Sequence, residues 1–506
     1  MNDIISGIMT AAGREPGRTA IVDGRGREIT YGELGRRVSV VRDAMGGPPQ
    51  GKGMRPGDGV LFAVRPGVDA VTLALGAVAA GGTLVLADPG LAPDVLAARM
   101  AATRPAWVVS ESPLYMLSGP LRSLARRRGL LLPNLADPLP GRPVRHLYTG
   151  PWLPGVPRGA LRLSRILRSP LTPTGQWAHE SDPDQPAAVI FTSGTTARPR
   201  GVVHTRRSLA TGLEMFRSVF PLGSGDIVHT DQLMLGLPAL LAGATWSLPG
   251  GGDLAAELAA RRATHTFAVP VHLDRLLRET PRLPGTLRYL LLGAAPAPPG
   301  VLRRAIEAGP EVLSVYAMTE ALPIAIASAR QKLAQAEGDL LGAPLPGVGV
   351  RIAEDGELFV SGPHLAQRYL GEEPLREIAT GDLVRLDAGR LVLLGRKKDM
   401  ILRDGVNIYP GLYESGIAAL PGVAEAAIVG LADPDTGDEE VVLAVVPTDG
   451  YNESLLRGAL PGIVDSAALP DRIESLDAFP RSGRADKLDR AALRDLVARC
   501  DVARRD

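Results

Sequence analysis

Between residues 17 and 130 short apolar runs alternate with longer stretches of helical period. Gly59-Val60-Leu61-Phe62-Ala63-Val64 follows the turn Arg55-Pro56-Gly57-Asp58 and reads as a strand. Ile29-Thr30-Tyr31-Gly32-Glu33-Leu34 reads as a strand end entering a helix, with Thr30 as the capping oxygen and Glu33 three residues on. Apolar strands separated by helices predict a parallel sheet covered on both faces. Val71 to Ala87 carries no charge, but Gly76, Gly81 and Gly82 divide it. It is slightly short for a membrane span and predicts a buried helix followed by the strand Thr83-Leu84-Val85-Leu86-Ala87.

Residues 131–186 are rich in Pro, Arg and Leu and lack a sustained period, so they read as a surface excursion. Ala244-Thr245-Trp246-Ser247-Leu248 and Ala263 to Pro270 read as strands, and Val271 to Arg278 as a helix. Leu287 to Pro296 reads as a buried strand ending in small residues, which leave room for a flat ligand at a sheet edge. Val423 to Gly430 and Val441 to Val446 read as strands, and Arg490 to Ala498 as a helix.

A chain of 506 residues exceeds one compact core and predicts at least two domains. With 56 basic against 55 acidic residues, no net field steers it to nucleic acid or anionic lipid. One cysteine, Cys500, excludes an intrachain disulfide framework or a Cys-based metal site. Met1-Asn2-Asp3-Ile4-Ile5 lacks the character of a signal peptide, so a cytoplasmic location without a membrane span is expected.

The densest candidate chemistry is Val189 to Val203. Thr192-Ser193-Gly194-Thr195-Thr196 sets four hydroxyls around a glycine, and Arg200 adds a fixed charge before a second apolar run. Such a loop can turn successive N–H groups onto one anion. By residues alone, a Ser/Thr-rich hairpin turn is equally consistent, and no G-x-x-x-x-G-K-[ST] is present.

Tyr316-Ala317-Met318-Thr319-Glu320 offers a ring that can stack on a purine, a hydroxyl and a carboxylate able to hold Mg²⁺ against phosphates. Thr380-Gly381-Asp382 reads as a turn ahead of an apolar strand, its aspartate able to accept from two sugar hydroxyls. Gly395 to Pro410 is also consistent with an exposed basic hairpin turning at Asp404-Gly405. Lys487, on composition, is a lysine in a charged loop.

Thr192-Ser193-Gly194-Thr195-Thr196 with Pro199-Arg200-Gly201-Val202 resembles the phosphate loop of the adenylate-forming (AMP-binding) enzymes of acyl-CoA synthetase type. Ala197 stands where that family has glycine, and Arg200 where it has lysine. Tyr316 to Glu320 resembles its Y-G-x-T-E, with Ala317 for glycine. Thr380-Gly381-Asp382 resembles its ribose motif, and Gly395 to Pro410 its hinge and following loop. Near the C-terminus, Pro480 to Arg490 resembles the loop carrying its mobile lysine. That loop is one residue longer here, with Asp486 for glycine.

The resemblance covers roughly residues 17–500 and implies an α/β fold. Layered α/β subdomains with a small β-barrel-like part would form an N-terminal domain, residues 1–395, followed by a small mobile C-terminal α/β domain, residues 396–506. It implies ATP and Mg²⁺ as cofactors, coenzyme A or phosphopantetheine as thiol, a small-molecule carboxylic acid as substrate and an acyl carrier protein as possible partner. By resemblance Lys487, Glu320 and Thr192 are catalytic, with Glu320 the metal ligand. The nucleotide would meet Thr192, Ser193, Gly194, Thr195, Thr196, Arg200, Gly293, Ala294, Ala295, Tyr316, Thr319, Glu320, Asp382, Arg396 and Lys487. Lys398 would be the hinge, with Gly405 and Asn407 in the loop a thiol arm approaches.

The implied reaction makes an acyl-adenylate and pyrophosphate, and an acceptor then displaces AMP. Only 4% aromatic residues suggests an aliphatic acid. The acceptor is open. The hinge loop argues for a thiol, whereas Thr319-Glu320-Ala321-Leu322-Pro323 resembles the β-lactone synthetases of olefin biosynthesis, and an amine is a further alternative. A non-catalytic relative that senses ATP or an acyl-adenylate is the reading from another class.

Overall fold

The computed structural model describes residues 3–46, 53–86, 93–127, 132–169, 182–191, 200–293, 296–335, 337–403, 406–432, 439–482 and 486–505. Thr192, Ser193, Gly194, Thr195, Thr196, Ala294, Ala295 and Gly405 lie outside these residues, and of Asn407 only the backbone is described. The chain forms two compact units: Met1–Thr264 with Thr319–Leu322 and Gly362–Arg376, and His265–Met318 with Pro323–Ser361 and Glu377–Asp506.

In the first unit an eight-stranded sheet runs Arg368–Tyr369, Gly201–Thr205, Pro186–Phe191, Thr83–Leu86, Gly59–Ala63, Trp107–Glu111, Arg145–Thr149, Leu161–Arg162. From Pro186–Phe191 to Leu161–Arg162 every pairing is parallel; the other two are antiparallel. The apolar strand sequences follow from burial on both faces: Leu61 and Val108 face one core, Val60 and Val109 the other. The expected parallel sheet is present, with an antiparallel hairpin flanking the phosphate-loop sequence.

The uncharged run becomes the helix Val68–Ala79 and the strand Thr83–Leu86, as its glycines predict. Among the described residues no helix is long and apolar enough to cross a membrane. A Cβ on Gly76 would meet Val41 Cγ1 at 2.5 Å, so this glycine lets Val68–Ala79 pack tightly on the helix Tyr31–Gly46. That second helix is capped as expected, Glu33 N–H donating to Thr30 Oγ1 at 3.2 Å. Residues 131–186 correct the reading as a surface excursion. They supply the strands Arg145–Thr149 and Leu161–Arg162, with Leu147 and Tyr148 buried. Their apolar content comes in pieces too short to show a period.

In the second unit His265–Ala268, Tyr289–Leu292 and Glu311–Met318 pair in parallel. Asp339–Pro344, Arg390–Arg396, Glu377–Asp387, Glu357–Ser361 and Gly349–Ile352 follow as an antiparallel series. Thr380-Gly381-Asp382 is not the turn expected ahead of a strand. It lies inside Glu377–Asp387, with Gly381 at φ 71° and register shifts in the pairing on both sides. A glycine of positive φ forms a bulge that re-aims the next side chain without ending the strand.

The last hundred residues hold the sheet Val423–Ala432, Glu439–Pro447, Arg472–Ser475. Ile428, Val441, Leu443 and Val445 face one core with Ile401, Ile408 and Ile417. Ala427, Val429, Val442 and Ala444 face the other, where Leu493 and Val497, one turn apart on the helix Arg490–Arg505, cover them.

In the first unit His204 and His364 are buried close together. Neither ring nitrogen of His364 has a hydrogen-bond partner among the described residues. Burial, then the charge of His204, pushes its pKa down to about 4. The unfolded chain therefore takes up this proton near the ordinary pH of ~6.5 and the folded chain does not. Stability contributed by the neutral ring is full above pH ~6.5 and falls as pH drops towards 4, by up to ~1.4 kcal/mol per pH unit. His364→Leu should flatten that acid loss, read as the urea midpoint at pH 7, 6, 5 and 4.5. An unchanged pH slope would remove His364 from the account.

Candidate active site

In the first unit the site grows from the edge of the antiparallel hairpin. Arg368–Tyr369 pairs with Gly201–Thr205, bringing Tyr369 beside Val202 and close to Arg200. The Arg200 guanidinium lies 3.5 Å over the Tyr369 ring, and its Nη2 pairs with Glu372 Oε2 at 3.1 Å. The Tyr369 hydroxyl donates to Glu320 Oε1 at 2.8 Å. Burial, then this hydrogen bond, raises the Tyr369 pKa, so the hydroxyl keeps the proton it donates.

Glu320 itself is 7% exposed. Beside it, His204 Nε2 meets the Thr319 carbonyl at 2.7 Å, and its Nδ1 lies 3.3 Å from Ser208 Oγ. A carbonyl only accepts, so Nε2 carries the hydrogen. Burial lowers the His204 pKa against the opposing pull of the Thr319 carbonyl and the Glu320 charge, so the ring is neutral near pH 7. Of the three groups Tyr369, His204 and Glu320, the negative one is therefore Glu320, while Glu372 is taken up by Arg200.

Whether the residues fit Mg²⁺ rests on that donor set. Among the described residues no group of three His, Cys, Asp or Glu side chains could hold a metal. Mg²⁺ keeps several waters and is often held by one or two carboxylates plus substrate phosphates. A single desolvated carboxylate, steadied on one oxygen by a tyrosine, fits that mode.

The second unit holds the other part of the sequence motifs. The Gly381 bulge turns Asp382 inward, where it is buried. Tyr316, on the strand Glu311–Met318, donates to Asp382 Oδ2 at 2.6 Å, and Arg396 Nε lies 2.8 Å from Oδ1. Burial, then Asp382, raises the Tyr316 pKa and keeps the hydroxyl protonated. The bulge is tied from below: Gly381 N–H donates to Glu357 Oε1 at 3.2 Å, and Lys397 Nζ donates to Glu357 Oε2 at 2.8 Å.

Lys487 is on the short strand Lys487–Leu488, paired with Arg481–Ser482. Partial desolvation first, then Arg396, lowers its pKa; Asp382 opposes the shift and Lys398 adds to it. Lys487 thus feels Arg396 and Lys398 as like charges and Asp382 as the opposite one, surroundings that suit an anion beside the lysine. Gly293 ends the strand Tyr289–Leu292, where a Cβ would meet Phe267 Cε2 at 3.0 Å. Lys398 is exposed in the single turn Lys397–Asp399. Ile401–Arg403 and Val406–Ile408 pair antiparallel, so the two strands of the hairpin alternative are present, while Asp404 and Gly405 lie outside the described residues.

The sequence reading thus collects Arg200, Thr319 and Glu320 in the first unit, and Tyr316, Asp382, Arg396, Lys398 and Lys487 in the second. It missed Tyr369, His204, Glu372 and Glu357. The one available signal was Tyr369 itself, an aromatic beside Arg368 in an otherwise polar stretch.

Comparison with known proteins shows the family. The profile of the AMP-binding enzymes matches residues 8–370, and that of the AMP-binding enzyme C-terminal domain matches residues 413–485. A feruloyl-CoA synthase from Amycolatopsis sp is 32% identical over 371 residues, covering 64% of this chain and 74% of its own. An isonitrile lipopeptide synthase from Streptomyces coeruleorubidus is 29% identical across 97% of this chain, which spans 33% of that longer protein. Among solved structures, the amide bond synthetase McbA from Marinactinospora thermotolerans superposes with a TM-score of 0.78 at 25% identity, over 97% of this chain and 99% of that one. With profile, relatives and superposed structure in agreement, the chain belongs to the AMP-binding enzyme family.

Proposed function

We propose that this protein joins a carboxylic acid to a thiol in two half-reactions, through an acyl-adenylate, with coenzyme A as the first candidate acceptor. The observation that carries the reading is the buried carboxylate of Asp382, paired with Arg396 at 2.8 Å, with Lys487 in the electrostatic reach of both. Attack of a carboxylate on the α-phosphate of ATP brings two anions together, so the barrier is mostly charge crowding. Cations fixed where that charge develops lower it most.

Each residue then has a task. Asp382, already held by Tyr316 and Arg396, accepts from the ribose hydroxyls. Lys487 faces the α-phosphate oxygens, its pKa lowered first by desolvation and then by Arg396. Glu320, steadied by Tyr369, would hold Mg²⁺, which when bound neutralises phosphate charge. Arg200 and the hydroxyls from Thr192 to Thr196 receive the departing pyrophosphate, and Gly293, Ala294 and Ala295 leave space along the adenine. The chain divides at residues 395 and 396, with Lys398 as hinge. Rotation there removes Lys487 and brings Gly405 and Asn407 to the thiol arm.

The acid reads as aliphatic from composition, but relatives are named for ferulate and indoleacetate. A first panel therefore spans aryl and aliphatic acids. Acid-dependent ATP–pyrophosphate exchange is expected from at least one of them. Lys487→Ala should lower that exchange about 10²- to 10³-fold while still consuming a pre-made acyl-adenylate. Equal loss of both half-reactions would make the lysine structural.

A second acceptor has specific support, since McbA is an amide bond synthetase. If the acceptor is a thiol, Gly405→Leu should spare exchange and abolish thioester formation, because any side chain there fills the arm's approach. Mass spectrometry of products formed with coenzyme A, with an amine and with a 3-hydroxy acid alone separates thioester, amide and lactone. An amide or lactone formed in preference would overturn the thiol assignment.

A further inference from the structure

The turn that presents Lys487 departs from local convenience. Asp486 sits at φ 47°, the left-handed region where a Cβ is crowded and glycine is the ordinary occupant. Its carbonyl belongs to the same peptide group as the Lys487 amide nitrogen, so the orientation of that one plane sets the origin of the lysine side chain. Arg481, across the ladder, reaches this group: its Nη1 donates to the Asp486 carbonyl at 3.0 Å. Its Nη2 makes an ion pair with Glu425 on the strand Val423–Ala432. The two short strands add Arg481↔Leu488 and Ser482↔Lys487 pairings, and Asp489 N–H donates to the Pro480 carbonyl at 2.9 Å.

These contacts form a chain from a buried sheet to an exposed lysine. Glu425 is anchored in a strand whose alternate residues fill two cores. Its carboxylate sets the Arg481 guanidinium, and the planar fork turns a second N–H to the carbonyl. Backbone pairing alone fixes the register of Lys487 but not the rotation of the peptide preceding it. Arg481 supplies the side-chain hydrogen bond to the Asp486 carbonyl, and its removal lets Asp486 relax towards negative φ, which would swing the lysine off its line.

We propose that Arg481 is a positioning residue for Lys487, holding the 486–487 peptide in its left-handed turn through a tether to Glu425. The inference rests on the assignment of Lys487 to the adenylation half-reaction. It adds that the strain of carrying aspartate at this turn is borne by one arginine, so substitution at 481 and glycine at 486 should offset each other.

The test uses the full chain and reads position before activity. Lysines of the wild type, Arg481→Ala and Arg481→Ala with Asp486→Gly are acetylated with acetic anhydride across pH 7 to 11, and the Lys487 peptide is quantified by mass spectrometry. The wild-type midpoint should lie below that of an ordinary lysine, should rise in Arg481→Ala, and should return towards wild type in the double variant. Alongside, exchange with a mixture of ferulate, indoleacetate and octanoate should fall about tenfold or more in Arg481→Ala, through kcat rather than the KM for ATP. Use of a pre-made acyl-adenylate should be unaffected. An unchanged Lys487 midpoint in Arg481→Ala overturns the inference, as does equal loss of both half-reactions with no recovery from glycine. Lys487→Ala serves as the separate control: full exchange in that variant would overturn the lysine's catalytic assignment while leaving the labelling result for Arg481 in place.

Discussion

A carboxylate taken out of water must be compensated, and Asp382 sets that requirement for the second unit. Its two oxygens face a tyrosine hydroxyl and an arginine, and the strand that carries it is bulged at Gly381 so that it points inward at all. A buried anion without such partners would neutralise itself by taking up a proton. With them the burial is offset, and the carboxylate orders three elements: the strand ending in Met318, the bulged strand, and the strand end at Arg396. Glu357 supports the same bulge from the opposite side and ties Lys397 to it.

Much of this was legible in the sequence where a motif is contiguous. Tyr316, Thr319 and Glu320 lie within five residues, and Thr380-Gly381-Asp382 are adjacent, so their chemistry could be proposed before their geometry. The partners that make them work were not legible, because the fold brings them from a distance. Tyr369 is 49 positions from Glu320, and His204 is 115 from the Thr319 carbonyl it meets. No local period encodes such pairs. The same limit explains the misreading of 131–186, where strands as short as Leu161–Arg162 are specified by neighbours in the sheet and not by their own pattern. Gly381 misled in a more local way, since a glycine before an aspartate signals a turn and a bulge equally well.

The departures from the family pattern have physical counterparts. Arginine at 200 brings a flat guanidinium where lysine would bring a point charge, and the structure gives that plane a surface in Tyr369 and a carboxylate in Glu372. The hydroxyl of the same tyrosine contacts Glu320, so one side chain touches both a cation and an anion of the first unit's site. A change in either charge is felt through a shared neighbour.

The sheet of Val423–Ala432, Glu439–Pro447 and Arg472–Ser475 fills both of its faces with residues drawn from 401 onward. A segment that completes its own interior carries its folding instructions with it. Such a segment can be exchanged between relatives, by evolution or by hand, where its packing on the strand Arg390–Arg396 is matched, as at Gly411 against the Leu394 carbonyl.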